Sequence, residues 1–267
     1  MWGAIIGDLA GSVYEFGQIK QVSKIKADTL IGENAFFSDD TILTVAVADA
    51  ILTGQDYGTK LKEYINKYAD YRPSFSPYFQ TAFSPKLIEW AKGNFQGNSS
   101  GNGAMMRIAP VGHCFDTEED VAKNAVLATV PSHNSREAVH CATKVALAIF
   151  YARKGLSKNQ IMQKLGIRLH RPNLTKFNYT CADTIDLCFY ALFTTDNFED
   201  AIKQAIAFGG DTDTNACIVG SMAEPLYGID KELKQKAKAK LPNEFLQVIN
   251  QFYAKTKNVH HEITKEL

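Results

Sequence analysis

The stretch Asp39-Asp40-Thr41-Ile42-Leu43-Thr44-Val45-Ala46-Val47-Ala48-Asp49-Ala50-Ile51-Leu52-Thr53-Gly54 decides the fold class. Asp40 and Thr41 stand where a helix starts, Ile42, Val45, Ala46 and Asp49 recur at helical spacing, and Gly54 supplies a stop. The pattern returns along the chain. Thr59 to Tyr71 places Leu61, Tyr64, Ile65 and Tyr68 on one face. Thr117, with Glu119 and Asp120, opens Val121 to Val130 on acidic residues, as the helix dipole favours. Ser135 resembles an N-cap for a helix reaching Lys154, and Ser157 to Leu165, Asp183 to Phe193, Phe198 to Phe208 and Asn243 to Tyr253 read as further helices. No Asn-Gly or Asp-Gly hairpin separates alternating runs, and β-branched runs are short. The expectation is an all-α protein. No repeat and no Pro/Ser-rich linker divides it, so residues 1–267 read as a single domain, with Gly93 to Gly103 as a loop inside it.

Composition narrows the partners. With 29 Lys plus Arg against 29 Asp plus Glu, the chain lacks the basic excess of a non-specific nucleic-acid binder. Lys231 to Lys240 intersperses its lysines with Glu, Leu, Gln and Ala, as a solvated helix face does. No run approaches the roughly 18 apolar residues of a membrane span. The opening MWGAIIGDLAGSVYEF lacks a basic n-region and carries Asp8 and Glu15, unlike a secretory leader. Cys114, Cys141, Cys181, Cys188 and Cys217 are odd in number without Cys-x-x-Cys pairing, which suits small core residues of a reduced, cytoplasmic protein, expected as a monomer.

Three loops are richer in Gly, Asp and Ser than connectors need. Phe37-Ser38-Asp39-Asp40-Thr41 precedes the helix quoted above, and two carboxylates and a hydroxyl there serve equally to cap it. Gly209-Gly210-Asp211-Thr212-Asp213-Thr214-Asn215 opens an apolar helix, Ala216 to Met222, and holds more carboxylates than one cap requires. Neither loop brings a Lys or Arg. Four carboxylates gathered without cations repel and raise one another's pKa values, and a divalent metal is the simplest remedy. All-oxygen donors with hydroxyls favour Mg²⁺ or Mn²⁺ over zinc, and four or five carboxylates suffice for a two-metal site. The third loop, Asn98-Ser99-Ser100-Gly101-Asn102-Gly103-Ala104-Met105-Met106-Arg107, fits an anion or diphosphate cradle and equally a flexible surface loop.

These residues carry a resemblance. Gly7-Asp8-Leu9-Ala10-Gly11 with Tyr14-Glu15-Phe16, Ser38-Asp39-Asp40-Thr41, Gly101-Asn102-Gly103-Ala104-Met105-Met106-Arg107, Ser132-His133 and Gly209-Gly210-Asp211-Thr212-Asp213-Thr214-Asn215-Ala216 resemble the ADP-ribosylglycohydrolase family, which includes the dinitrogenase reductase-activating glycohydrolase. The motifs stand in the family's order from Gly3 to about Gly228.

The resemblance implies an orthogonal all-α bundle with two Mg²⁺ (or Mn²⁺) ions, which cleaves the ribosyl C1″ bond of an ADP-ribosylated substrate and releases ADP-ribose. Its metal ligands would be Ser38, Asp39, Asp40, Asp211, Asp213 and Thr214, with Ser38 in place of the usual threonine. Glu15, Asp39 and Asp213 would be catalytic, Glu15 orienting or deprotonating water. Ser99, Gly101, Asn102 and Gly103 would lie along the diphosphate, and His133 near the diphosphate or distal ribose. Ser100 stands where relatives often place an aromatic, which leaves Phe95 as the candidate adenine platform. The chemistry fits, because C1″ cleavage builds oxocarbenium charge that a carboxylate cluster stabilises.

Other residues read more plainly. Asp8, in an apolar helix, needs hydrogen-bonding partners and reads as structural. His113, His140 and His170 have no partner at ligand spacing, and His260-His261 reads as a frayed helix end. Arg107 braces either the loop or the diphosphate, and Asp183 reads as an N-cap. A prenyl-diphosphate enzyme would need Asp-Asp-x-x-Asp, which Thr41-Ile42-Leu43-Thr44 after Asp40 does not give. A non-catalytic ADP-ribose binder on the same scaffold is the other alternative, yet the metal-loop carboxylates and Glu15 are all present. Acceptor-side residues fall in loops such as Tyr71 to Ala82, leaving arginine, serine, a nucleobase or a small conjugate open.

Overall fold

The computed structural model describes residues 1–15, 29–72 and 81–263, with side chains to Thr256. The helices are α1 (Trp2–Glu15), α2 (Asp39–Thr53), α3 (Tyr57–Lys67), α4 (Pro85–Ala91), α5 (Gly103–Met106), α6 (Ala109–Cys114), α7 (Glu118–Thr129), α8 (Arg136–Arg153), α9 (Lys158–Leu165), α10 (Cys181–Phe193), α11 (Phe198–Ala207), α12 (Thr212–Tyr227), α13 (Lys231–Lys238) and α14 (Asn243–Ile263). Among the described residues no sheet forms, and extended pairing is confined to isolated bridges between Asn98 and His133 and between Gly101 and Thr180. The protein is all-α. No helix of the described residues is long and apolar enough to cross a membrane.

The pairing of α1 with α12 sets the architecture. Gly3, Gly7 and Gly11 recur every four residues and so form one stripe along α1. A Cβ at Gly3 would lie 2.0 Å from Gly220 O, at Gly7 2.0 Å from Ala216 O, and at Gly11 2.3 Å from Thr212 O. The two backbones therefore touch directly, and the falling partner numbers make the helices antiparallel. The C-terminal Glu15 of α1 is thereby brought to the N-terminal Asp211 and Asp213 of α12. At the opposite end, the Met1 ammonium pairs with Glu224 at 2.7 Å, and His113 Nε2 lies 3.5 Å from the same carboxylate, a structural partnership.

Helix α2 runs through the middle of this bundle. Asp40 to Ala48 are all buried, so it is a central helix rather than an amphipathic one, and Asp49 at its edge pairs with Lys60 at 2.9 Å. Gly54 ends it in the left-handed region, φ 68°, as glycine permits. Asp8, within α1, accepts from Ser38 N at 2.9 Å, Ser38 Oγ at 2.8 Å and Thr41 N at 3.0 Å. It thus ties the start of α2 to α1. Thr44 Oγ1 and Cys217 Sγ both donate to Met106 O, which anchors α5 between α2 and α12.

Several boundaries differ from the sequence reading. Thr180 rather than Asp183 caps α10: its side chain accepts from Asp183 N at 3.1 Å, and Asp183 pairs instead with Lys176 at 3.3 Å. Helix α12 extends from Thr212 to Tyr227 on both sides of the expected span, and α14 continues past Tyr253. Helices α4, α5 and α6 have at most seven residues, too few to show a period. All five cysteines are free and buried. Phe16, residues 73–80 of the acceptor-side loop and the side chains of His260 and His261 lie outside the described residues.

Candidate active site

Three helix ends converge: the C-terminus of α1 and the N-termini of α2 and α12. Glu15, Asp211 and Asp213 each offer a carboxylate oxygen within 4.8 Å of the others. From α2, Asp40 Oδ2 accepts from Thr214 Oγ1 at 3.2 Å and lies 3.3 Å from Ser38 Oγ. Asp211 occupies the N-cap of α12 yet makes no capping bond; its Oδ2 accepts from Asn102 Nδ2 at 2.7 Å. Thr117, Ser135 and Ser157, by contrast, cap their helices in the ordinary way. The Asp211 carboxylate is therefore held for the cluster.

Electrostatics mark the cluster as unneutralised. Burial first, and then the charge of Asp213, push Glu15, Asp39 and Asp40 well above the ordinary carboxylate range. Burial and Asp211 do the same to Asp213, while Asp8 rises to about 7 through burial and Asp213. Among the described residues no salt bridge reaches any of the five carboxylates at the helix ends. Arg107 lends positive charge to Asp39. Asp40 Oδ1 is buried without a hydrogen-bond partner. Crowded hard oxygens, one of them orphaned, are the donor set of a divalent cation, so the residues fit such an ion.

Beside the cluster opens a cleft of about 780 Å³, lined by Glu15, Ser38, Asp39, Asp40, Asp211, Asp213 and Thr214 on one side. Phe95, Ser99, Gly101, Asn102, Gly103 and His133 line it as well. The Gly-Asn-Gly segment does not present a row of open amides. Gly101 N donates to Ser99 Oγ at 3.0 Å and Asn102 N to Tyr179 O at 2.9 Å. Neither glycine needs the left-handed region; they leave space, since a Cβ at Gly103 would come within 3.4 Å of His133 Nε2. The Asn102 side chain turns inward to Asp211. Asn178 supports the same corner, its Nδ2 donating to Asn215 Oδ1 at 2.7 Å and its Oδ1 accepting from Asp211 N at 3.0 Å. Gly210, at φ 74°, passes so close to Asn178 that only glycine fits.

Two features had no readable motif. Tyr179 is 63% exposed and lines the same cleft as Phe95, itself 57% exposed, so two open aromatic rings face it. Asn178 was equally silent, because its partners lie in distant loops. The spacing of Gly3, Gly7 and Gly11 was not read as a stripe, because the helix it meets lies far along the chain.

The ADP-ribosylglycohydrolase family profile matches residues 1–262. ADP-ribosylarginine hydrolase Tri1 of Pseudomonas putida (strain GB-1) is 25% identical over 265 residues, covering 85% of this chain and 69% of the relative. ADP-ribosylhydrolase ARH3 of Homo sapiens is 22% identical over 306 residues, covering 86% of this chain and 84% of the relative. Among solved structures, a chain titled ADP-ribosylglycohydrolase-related protein complex superposes with a TM-score of 0.69 at 18% identity over 95% of both chains, a likeness of fold.

Proposed function

Since the chain belongs to the ADP-ribosylglycohydrolase family, hydrolases of glycosyl bonds, we propose that it releases ADP-ribose from its substrate at a divalent-metal centre. The observation that carries this reading is the convergence of Glu15, Asp211 and Asp213 oxygens within 4.8 Å, at the edge of a cleft of about 780 Å³. Ser38, Asp39, Asp40, Asp211, Asp213 and Thr214 would hold two Mg²⁺ or Mn²⁺ ions, which their hard oxygens suit. When bound, such cations supply positive charge against the ribose hydroxyls and favour an ionised water. Glu15, Asp39 and Asp213 are the catalytic carboxylates. Glu15 orients water and takes its proton, and the cluster stabilises oxocarbenium charge at C1″. The five buried thiols fit a reducing, cytoplasmic setting.

The acceptor stays with arginine, serine, a nucleobase or a small conjugate. On the nucleotide side, Phe95 and Tyr179 provide stacking faces for adenine. Phe95→Ala is expected to raise KM for an ADP-ribosyl conjugate about tenfold with little change in kcat, because base stacking is worth roughly 1–3 kcal/mol. Steady-state kinetics check this, and an unchanged KM would remove Phe95 from the adenine subsite.

A thermal-shift experiment tests the metal centre. Without metal, the folded state keeps protons on these carboxylates where the unfolded chain has lost them, so it loses stability as pH rises from about 4 towards Asp8's value of about 7. Metal binding displaces those protons. The rise in Tm caused by saturating Mg²⁺ should therefore grow from about pH 5 to about pH 7.5, reaching about 5 °C or more. A shift equal at both pH values, or larger at the lower one, would contradict the assignment.

A further inference from the structure

We propose that Arg107 and Ser132 order the proton on His133, fixing the ring as its Nε2–H tautomer, so that Nε2 donates to an acceptor oxygen of the ligand in the cleft. Arg107 is wholly buried, and a guanidinium can only donate. Its Nη2 lies 2.7 Å from Ser132 Oγ, which makes that oxygen an acceptor, and 3.3 Å from Ala128 O. Ser132 Oγ in turn lies 2.8 Å from His133 Nδ1.

The hydroxyl proton now has one place to go. Among the described residues Ser132 Oγ meets only Arg107 and His133, and Arg107 accepts nothing. The proton therefore points at Nδ1, which must be bare. The opposite tautomer would leave the serine proton without an acceptor and set Nδ1–H against Arg107 Nη2 at 3.5 Å. The backbone fixes this arrangement, since His133 N donates to Thr129 O at 2.9 Å and Ser99 N to Ser132 O at 3.3 Å.

The ring proton consequently resides on Nε2. That atom meets no protein acceptor among the described residues. It faces Gly103 and Gly101, whose Cβ atoms would lie 3.4 and 3.6 Å from it, so the two glycines keep its path open. Burial, and then the charge of Arg107, hold His133 far below the usual histidine range, which leaves the ring neutral. His133 is thus a single fixed donor towards the cleft and not a base there. Arg107 and Ser132 are positioning residues acting through it. The expected acceptor is a phosphate or ribose oxygen of the ADP-ribosyl group, a part that rests on the proposed function; the tautomer does not.

The test is nitrogen NMR of the full chain labelled at histidine, with the His133 signals assigned by their loss in His133→Gln. Wild type should show Nδ1 unprotonated and Nε2 protonated. Ser132→Ala should mix the two tautomers and weaken binding of free ADP-ribose about twofold, in proportion to the fall in the Nε2–H population. Ser132→Thr, which keeps the hydroxyl, should restore both. A protonated Nδ1 in wild type, or an unchanged tautomer in a folded Ser132→Ala protein, would overturn the proposal. If Ser132→Ala does not fold, the wild-type spectrum alone decides. A protein with the expected tautomer that hydrolyses no ADP-ribosyl conjugate would defeat the functional reading and leave the proton ordering standing.

Discussion

Asp213→Asn is expected to lower kcat for ADP-ribose release by roughly 10³-fold or more while leaving the protein folded. Asp213 is the residue that the rest of the cluster answers to. Its charge is the largest electrostatic cause, after burial, of the raised pKa values of Asp8, Glu15, Asp39 and Asp40. The amide keeps the shape and removes both the repulsion and the anionic donor. Metal-free Asp213→Asn should therefore melt at a higher temperature than metal-free wild type, and its Tm should no longer respond to Mg²⁺. Activity and stability move in opposite directions, as happens where a site concentrates like charge for its chemistry. Turnover near that of wild type, or a lower Tm with the Mg²⁺ response intact, would contradict this assignment.

Gly7→Ala should have the largest effect on stability, about 3 kcal/mol or more. A Cβ there would lie 2.0 Å from Ala216 O and 2.6 Å from Cys217 N, both backbone atoms with no freedom to turn aside. Helices α1 and α12 must then separate along their whole contact. Because Glu15 reaches Asp211 and Asp213 through that contact, Mg²⁺ affinity should fall as well. Urea denaturation measures the first effect and the Mg²⁺-induced Tm shift the second. Gly32→Ala is the control: its Cβ would meet nothing nearer than Thr29 Oγ1 at 3.9 Å, so it should change little. A Gly7→Ala protein as stable as Gly32→Ala would mean that the close helix contact is not what holds the site together.

The sequence made some of this legible for physical reasons. Caps and stops are local, so Ser135, Ser157 and Gly54 could be read directly. The two acidic loops were legible because carboxylates without cations are chemically unusual wherever they meet. Asp183 misled because a carboxylate three residues after Thr180 suits the first turn as well as the cap. What stayed hidden depends on pairing across the chain. Thr212 Oγ1 donates to Gly11 O across 201 positions, and Asn102 reaches Asp211 across 109. No local pattern encodes which helix a glycine stripe will meet, or that an asparagine beside a glycine loop turns inward to a carboxylate. Tyr179 likewise looked like any loop tyrosine until the fold set it at the cleft beside Phe95.

ADP-ribose release from a panel of defined conjugates, linked through arginine, serine, a nucleobase or a small alcohol, is the most direct measurement, made with metal-stripped protein and again after Mg²⁺ is restored. Release from at least one conjugate with Mg²⁺, its loss on stripping and its return on restoration are the expected results. Unchanged turnover with metal rigorously removed, in wild type and in Asp213→Asn alike, would contradict a mechanism built on these carboxylates.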